Sequence, residues 1–237
     1  EKANSSLYVG HLFTVEHWTF IHYHTKFGGK HMKISPTLTE VKEIAKTGKY
    51  DILPVSCEIL SDFITPIEAM RILQNVSTHC YLLESAQANE AWGRYTFLGY
   101  DPKLEINCID GHMKLGKLSV ETENPSEYIR QILSEYKSPK FDYLPSFTGG
   151  LVGYFSYDYL GYKEKSIRGK ARDTEDFKDV DLMLFDKVIA FDNLCQKIIL
   201  IANMSLDAPE TGYNKAIVEL KQLRELLMHG EKKQNMG

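Results

Sequence analysis

Cysteine is scarce in this chain, and none of it is spaced for chemistry. The 237 residues hold 4 cysteines, Cys57, Cys80, Cys108 and Cys195, with no CxxC pair and no metal-ligand interval. Three lie in apolar, strand-like runs, which suits buried reduced thiols, so a reducing cytoplasm is the expected setting. Long hydrophobic runs are missing as well. Lys197-Ile-Ile-Leu-Ile-Ala202 is among the longest and is far short of the roughly 20 residues that a membrane helix needs. Glu1-Lys2 leads into polar residues rather than the apolar core of a secretory signal. Positive charge is not in excess: the net charge is -4 and no basic stripe stands out, which argues against nucleic acid as a partner. No GxSxG, HExxH, P-loop or Rossmann glycine fingerprint occurs. Beyond residue 31 the histidines are His79, His112 and His229, each isolated and suited to surface or packing roles. The acidic stretch Asp173-Thr-Glu-Asp176 reads as a solvated charge run rather than a cation site.

What remains is a pattern of short strands and amphipathic helices. Leu38, Val41, Ile44 and Ala45 have helical spacing, and Gly48 follows as a stop. Asp51 to Ile59 reads as extended chain, with Pro54 placing it at a sheet edge. Thr65-Pro66-Ile67-Glu68 carries a capping box and a first-turn proline, predicting a helix to about Gln74 with Ile67, Met70, Ile72 and Leu73 inward. Asn124-Pro125-Ser126-Glu127 repeats that logic for a helix to about Tyr136. Between them lie strands at Cys80 to Glu84, Arg94 to Gly99 and Leu104 to Ile109, then an Asp110-Gly111 type I′ turn into Met113 to Leu115. Leu151 to Tyr157 reads as a strand. Leu182 to Phe191 and Cys195 to Ala202 flank a second hairpin turn, and a final helix runs from Asp207 to Gly230. The segment from about Lys163 to Asp179 reads as an exposed loop. Clustered strands, frequent hairpins and interspersed helices predict an α+β fold with largely antiparallel sheets and flanking helices.

Residues 1–31 differ from the rest. They hold five of the 8 histidines, among them His22 and His24, with no carboxylate or cysteine at ligand spacing. Gly28-Gly29-Lys30-His31-Met32 can be encoded by a purine-rich ribosome-binding site, a spacer and a start codon, and His-Met is also a common cloning scar. The expectation is that residues 1–31 are leader or vector sequence outside the fold, and that Met32 opens a domain spanning 32–237.

Two segments invite a functional reading. In Tyr81-Leu-Leu-Glu-Ser85 an apolar strand ends in a carboxylate and a hydroxyl, followed by a polar loop and an aromatic strand. Glu84 could receive an ammonium group and Ser85 could add directional hydrogen bonds, while apolar neighbours lower the local dielectric. On residue chemistry alone, an ordinary strand exit with exposed Glu84 and Ser85 accounts for the same pattern. In Pro145 to Asp158, Gly149, Gly150 and Gly153 precede a strand rather than the helix a phosphate loop requires. They fit a close backbone approach or a bulge in a packed sheet.

Taken together, LLES, the later WGRYTFLGYDP, GGLVGYFSYD, DLMLFDKVIAFDN and QKIILIAN resemble, in that order, the N-terminal region of the anthranilate synthase component I family, over about Lys33 to Glu231. The resemblance implies a chorismate-utilising enzyme that forms anthranilate and pyruvate with Mg²⁺. It takes ammonia from a glutamine amidotransferase subunit and is inhibited by L-tryptophan at a site remote from chorismate. The family's tryptophan contacts carry over onto Glu84, Ser85, Thr96 and Phe97, with Leu83 adjacent as a wall for the indole. Other members often have serine and an aliphatic residue where Thr96 and Phe97 stand. A proline-tyrosine-methionine segment that completes the pocket in the family, and the family's chorismate and Mg²⁺ residues, have no counterpart here. The implied state is a portion of the subunit with half of a feedback site, no catalytic or metal residues of its own, and no lyase activity alone. The folate-pathway relative, aminodeoxychorismate synthase component I, shares the pattern, although LMLFDKVIAFD favours the tryptophan pathway. A stand-alone amino-acid-binding module and an inert fragment also remain open.

Overall fold

The computed structural model describes residues 11–15, 18–22, 32–84, 93–164 and 177–233. The chain divides into two compact units, 1–32 and 33–237. In the first, β1 (His11–Val15) and β2 (Trp18–His22) form an antiparallel hairpin with His11 opposite His22.

The second unit contains two antiparallel sheets. The larger comprises β3 (Ile34–Ser35), β4 (Ile52–Leu60), β5 (Cys80–Glu84), β6 (Tyr95–Tyr100), β12 (Lys187–Asp192) and β13 (Lys197–Ser205), ordered β3-β4-β13-β12-β6-β5. The smaller comprises β7 (Leu104–Ile109), β8 (His112–Leu115), β9 (Leu118–Glu121), β10 (Gly150–Phe155) and β11 (Val180–Phe185), ordered β10-β11-β7-β8-β9. The helices are α1 (Leu38–Lys46), α2 (Pro66–Val76), α3 (Pro125–Ser134) and α4 (Pro209–His229). The α+β architecture read from the sequence is the one observed. No helix among the described residues is long and apolar enough to cross a membrane.

Local chemistry accounts for most element ends. Thr65 accepts from the Glu68 amide while Glu68 accepts from the Thr65 amide, closing the capping box at the start of α2. Thr37 and Glu40 make the same box on α1. At α3 the expected cap is absent: the Asn124 side chain accepts from the Ser126 hydroxyl instead of from the helix backbone. Asp110 and Gly111 sit at φ 49 and 84, as a type I′ turn requires, and Ile109 pairs with His112 across it. Pro54 lies in β4 outside the stretch that β3 covers, because β3 pairs only with Ser56 and Cys57.

Other boundaries depart from expectation. The run from Leu182 to Phe191 is not one strand. It breaks at Asp186, placing β11 in the smaller sheet and β12 in the larger. The break is held by Asn203, whose amide and side-chain Nδ2 both donate to the Asp186 carbonyl, at 2.8 and 3.0 Å. The strand expected to reach Tyr157 stops at Phe155, and a 3₁₀ turn spans Tyr157–Tyr162. Ile67, expected inward on α2, is exposed, while Ala69 takes the buried position. Gly153, at φ 153, faces the Asp181 carbonyl so closely that a Cβ there would overlap it, which is the close backbone approach its sequence context suggested.

The main core lies between the larger sheet and its helices: Leu53, Leu98, Ile198, Leu200, Leu73 and Leu220 are fully buried. The opposite face of that sheet buries Val188, Ala190, Ile199 and Ile201 beneath Leu144 and Phe147. The smaller sheet packs one face on α3, through Ile106, Cys108, Met113, Leu182 and Ile129.

Candidate functional site

Strand β5 ends the larger sheet, so one of its edges is unpaired among the described residues. Its other edge pairs with β6 in a register that sets Leu83 opposite Phe97 and Glu84 opposite Thr96. Four of the five residues singled out from the sequence therefore form two adjacent cross-strand pairs. The fifth, Ser85, lies outside the described residues.

The pairs do not share a face. Cross-strand partners project to the same side of a sheet and successive residues to opposite sides. Phe97 joins Val188 and Ala190 on the side covered by Leu144 and Phe147, so Leu83 belongs to that side. Glu84 and Thr96 belong to the helix side, with Leu98. A small molecule touching both pairs must wrap the free edge of β5, where Leu83 is 46% exposed and Glu84 is exposed. Thr96, by contrast, is 1% exposed; its hydroxyl accepts from the Asn193 side chain at 3.4 Å.

The Phe97 side is aromatic. Phe97 meets Phe147 edge-on at 5.6 Å between ring centres and lies 5.8 Å from Tyr95. Tyr81 meets Phe185 at 4.7 Å and Phe147 at 6.4 Å. The Tyr81 ring lies across Gly99, its register partner, filling the place a Cβ would take. Burial pushes the Tyr81 phenol above its ordinary range, and among the described residues its hydroxyl has no hydrogen-bond partner.

Two residues that sequence reasoning passed over bind β6 to the neighbouring turn. Arg94 donates from Nε to Asp192 Oδ1 at 3.1 Å and from Nη2 to Oδ2 at 2.7 Å. The Leu194 and Cys195 amides also donate to Oδ1. The Asp192 side chain is 0% exposed. Burial alone would raise its carboxyl, but the Arg94 fork and the Cys195 amide outweigh that and hold it below the ordinary carboxylate range. The signal available in sequence was an arginine in WGRYTF and an aspartate opening a turn, and nothing in their spacing joins them.

Among the described residues no three His, Cys, Asp or Glu side chains converge where a metal ion could sit.

No protein-family model matches the chain. Curated relatives do. Anthranilate synthase component 1 of Acetivibrio thermocellus is 34% identical over 198 residues, covering 81% of this chain and 39% of that protein. The Pseudomonas aeruginosa protein of the same name is 36% identical over 186 residues, covering 75% of this chain and 37% of its own length. The chain is a relative of anthranilate synthase component I. It spans about two fifths of the length of these component I proteins. The crystal structure of anthranilate synthase component I from Streptococcus pneumoniae TIGR4 is 25% identical, with a TM-score of 0.46, covering 70% of this chain and 36% of that one.

Proposed function

We propose that residues 33–231 form the portion of an anthranilate synthase component I that carries half of its L-tryptophan feedback site. In this reading the longer protein converts chorismate to anthranilate and pyruvate in tryptophan biosynthesis. It uses ammonia from a glutamine amidotransferase subunit and Mg²⁺ held elsewhere in the protein. The 237-residue chain alone performs no such conversion. The observation that carries the reading is the β5–β6 register, which sets Glu84 beside Thr96 and Leu83 beside Phe97 at a free sheet edge in a chain similar to component I.

The chemistry of those residues suits an aromatic amino acid. Glu84 offers a carboxylate to an ammonium group at the rim, and Ser85 is one residue farther along. Leu83 and Phe97, backed by Phe147 and Tyr95, offer apolar and ring surface to an indole. Thr96 is buried and acts by shaping the strand rather than by contact. Tryptophan inhibits in this reading by binding one arrangement of the longer subunit more tightly than another.

Ser85→Phe in the longer protein is expected to release inhibition by filling the ammonium end of the pocket; unchanged inhibition by tryptophan counts against the assignment. Chorismate consumption by the purified 237-residue chain would refute its inactivity. Tryptophan affinity of that chain is expected to be weak, because part of the pocket is contributed from elsewhere.

A further inference from the structure

We propose that Arg94 and Asp192 are positioning residues for the tryptophan site, an inference that rests on the function proposed above. Their ion pair fixes the start of β6 against the β12–β13 turn and thereby sets where Thr96 and Phe97 stand relative to Glu84.

The placement is specific. Asp192 is the last residue of β12 and pairs in register with Tyr95, the first residue of β6. Its carboxylate receives both arms of the Arg94 fork and two turn amides. The next residue, Asn193, donates from its side chain to the Thr96 hydroxyl at 3.4 Å, and its amide donates to the Arg94 carbonyl at 2.9 Å. The turn thus grips β6 on both sides of Tyr95. The Arg94 guanidinium lies over the Tyr95 ring, 4.9 Å from its centre. Tyr95 in turn packs on Phe97, so the line from ion pair to ligand-facing ring is continuous.

Stability is a poor reason for this arrangement. An ion pair with a buried member gains little over a well-packed apolar pair, because desolvation offsets the attraction. β6 is already held by strands on both sides and by the burial of Leu98. What the fork adds is direction: two parallel N–H donors on one carboxylate fix an angle that a lysine, a point charge on a flexible stem, cannot.

The test titrates L-tryptophan by calorimetry into the 237-residue chain and its R94K, R94Q, D192N and S85F variants, with the melting temperature of each measured alongside. R94K is expected to keep a melting temperature close to the unaltered chain and to bind tryptophan about tenfold more weakly, the factor that follows when a loosened β6 leaves about a tenth of the molecules in the binding arrangement. R94Q and D192N are expected to lose more. If R94K binds as the unaltered chain does while S85F loses affinity, the site stands and the positioning role is overturned. If R94K and R94Q both melt early and the folded fraction binds normally, or if both fail to fold, the pair serves stability and the proposal falls. If the unaltered chain shows no binding even at roughly 10 mM tryptophan, so that the weak affinity expected of half a pocket is itself missing, or if S85F binds equally well, the site assignment itself fails and the ion pair has no such role.

Discussion

The larger sheet is covered on both faces across its central strands, and the smaller sheet on one. Every side chain from Ile198 to Ala202 in β13 and from Val188 to Asp192 in β12 is buried, whichever way it points. In β7 and β8 burial alternates: Ile106, Cys108 and Met113 face α3, while Glu105, His112 and Lys114 face outward. The difference shows in composition as continuous apolar runs against strict alternation. It also separates roles. The doubly covered sheet supplies the rigid frame, and the proposed ligand edge at β5 and β6 is the margin of that frame, where cover gives way to solvent.

Three measurements test this contrast. Leu200, fully buried in the middle of the larger sheet, should be the most sensitive. Leu200→Ala is expected to lower unfolding free energy by about 3 kcal/mol, from lost burial and a cavity that neighbours on both faces cannot fill. A loss below about 1 kcal/mol in denaturant titration would mean the centre repacks freely and the frame is not rigid. Gly153→Ala comes next. It places a Cβ against the Asp181 carbonyl at a left-handed φ, and should cost about 2 kcal/mol while loosening only β10, the edge of the smaller sheet. Hydrogen exchange should quicken at β10 and not at β13; equal quickening in both would show that the sheets unfold as one. The smallest effect is in pH. The Asp192 carboxyl is held below its ordinary value in the fold, so its contribution is present above the unfolded value of about 4 and is lost as pH falls through the lower folded value. The stability gap between the unaltered chain and Asp192→Asn should therefore narrow below about pH 4. A gap that stays constant to low pH would remove Asp192 from the acid response.

Much of this was legible from residue order. The Thr65 capping box, the Asp110-Gly111 turn, the alternation of β7 and the periodicity of α4 are local, since each is set by residues within a turn or two of one another. The family resemblance was legible for the same reason: ordered motifs survive in one dimension. The proposed site was legible only as two segments. LLES and YTF each announced a strand, and their order could not say that Glu84 would meet Thr96, or that Leu83 and Phe97 would fall on the other face.

Residue order alone carried the α+β class, most elements and the resemblance to anthranilate synthase component I, because patterning and caps act at short range. Where the run from Leu182 to Phe191 divides between sheets depends on the folded chain, since the capture of the Asp186 carbonyl by Asn203 spans 17 residues. Folding likewise joins Arg94 to Asp192, which are 98 residues apart. Pairings at that distance depend on which apolar faces find one another first, and spacing along the chain carries no record of them.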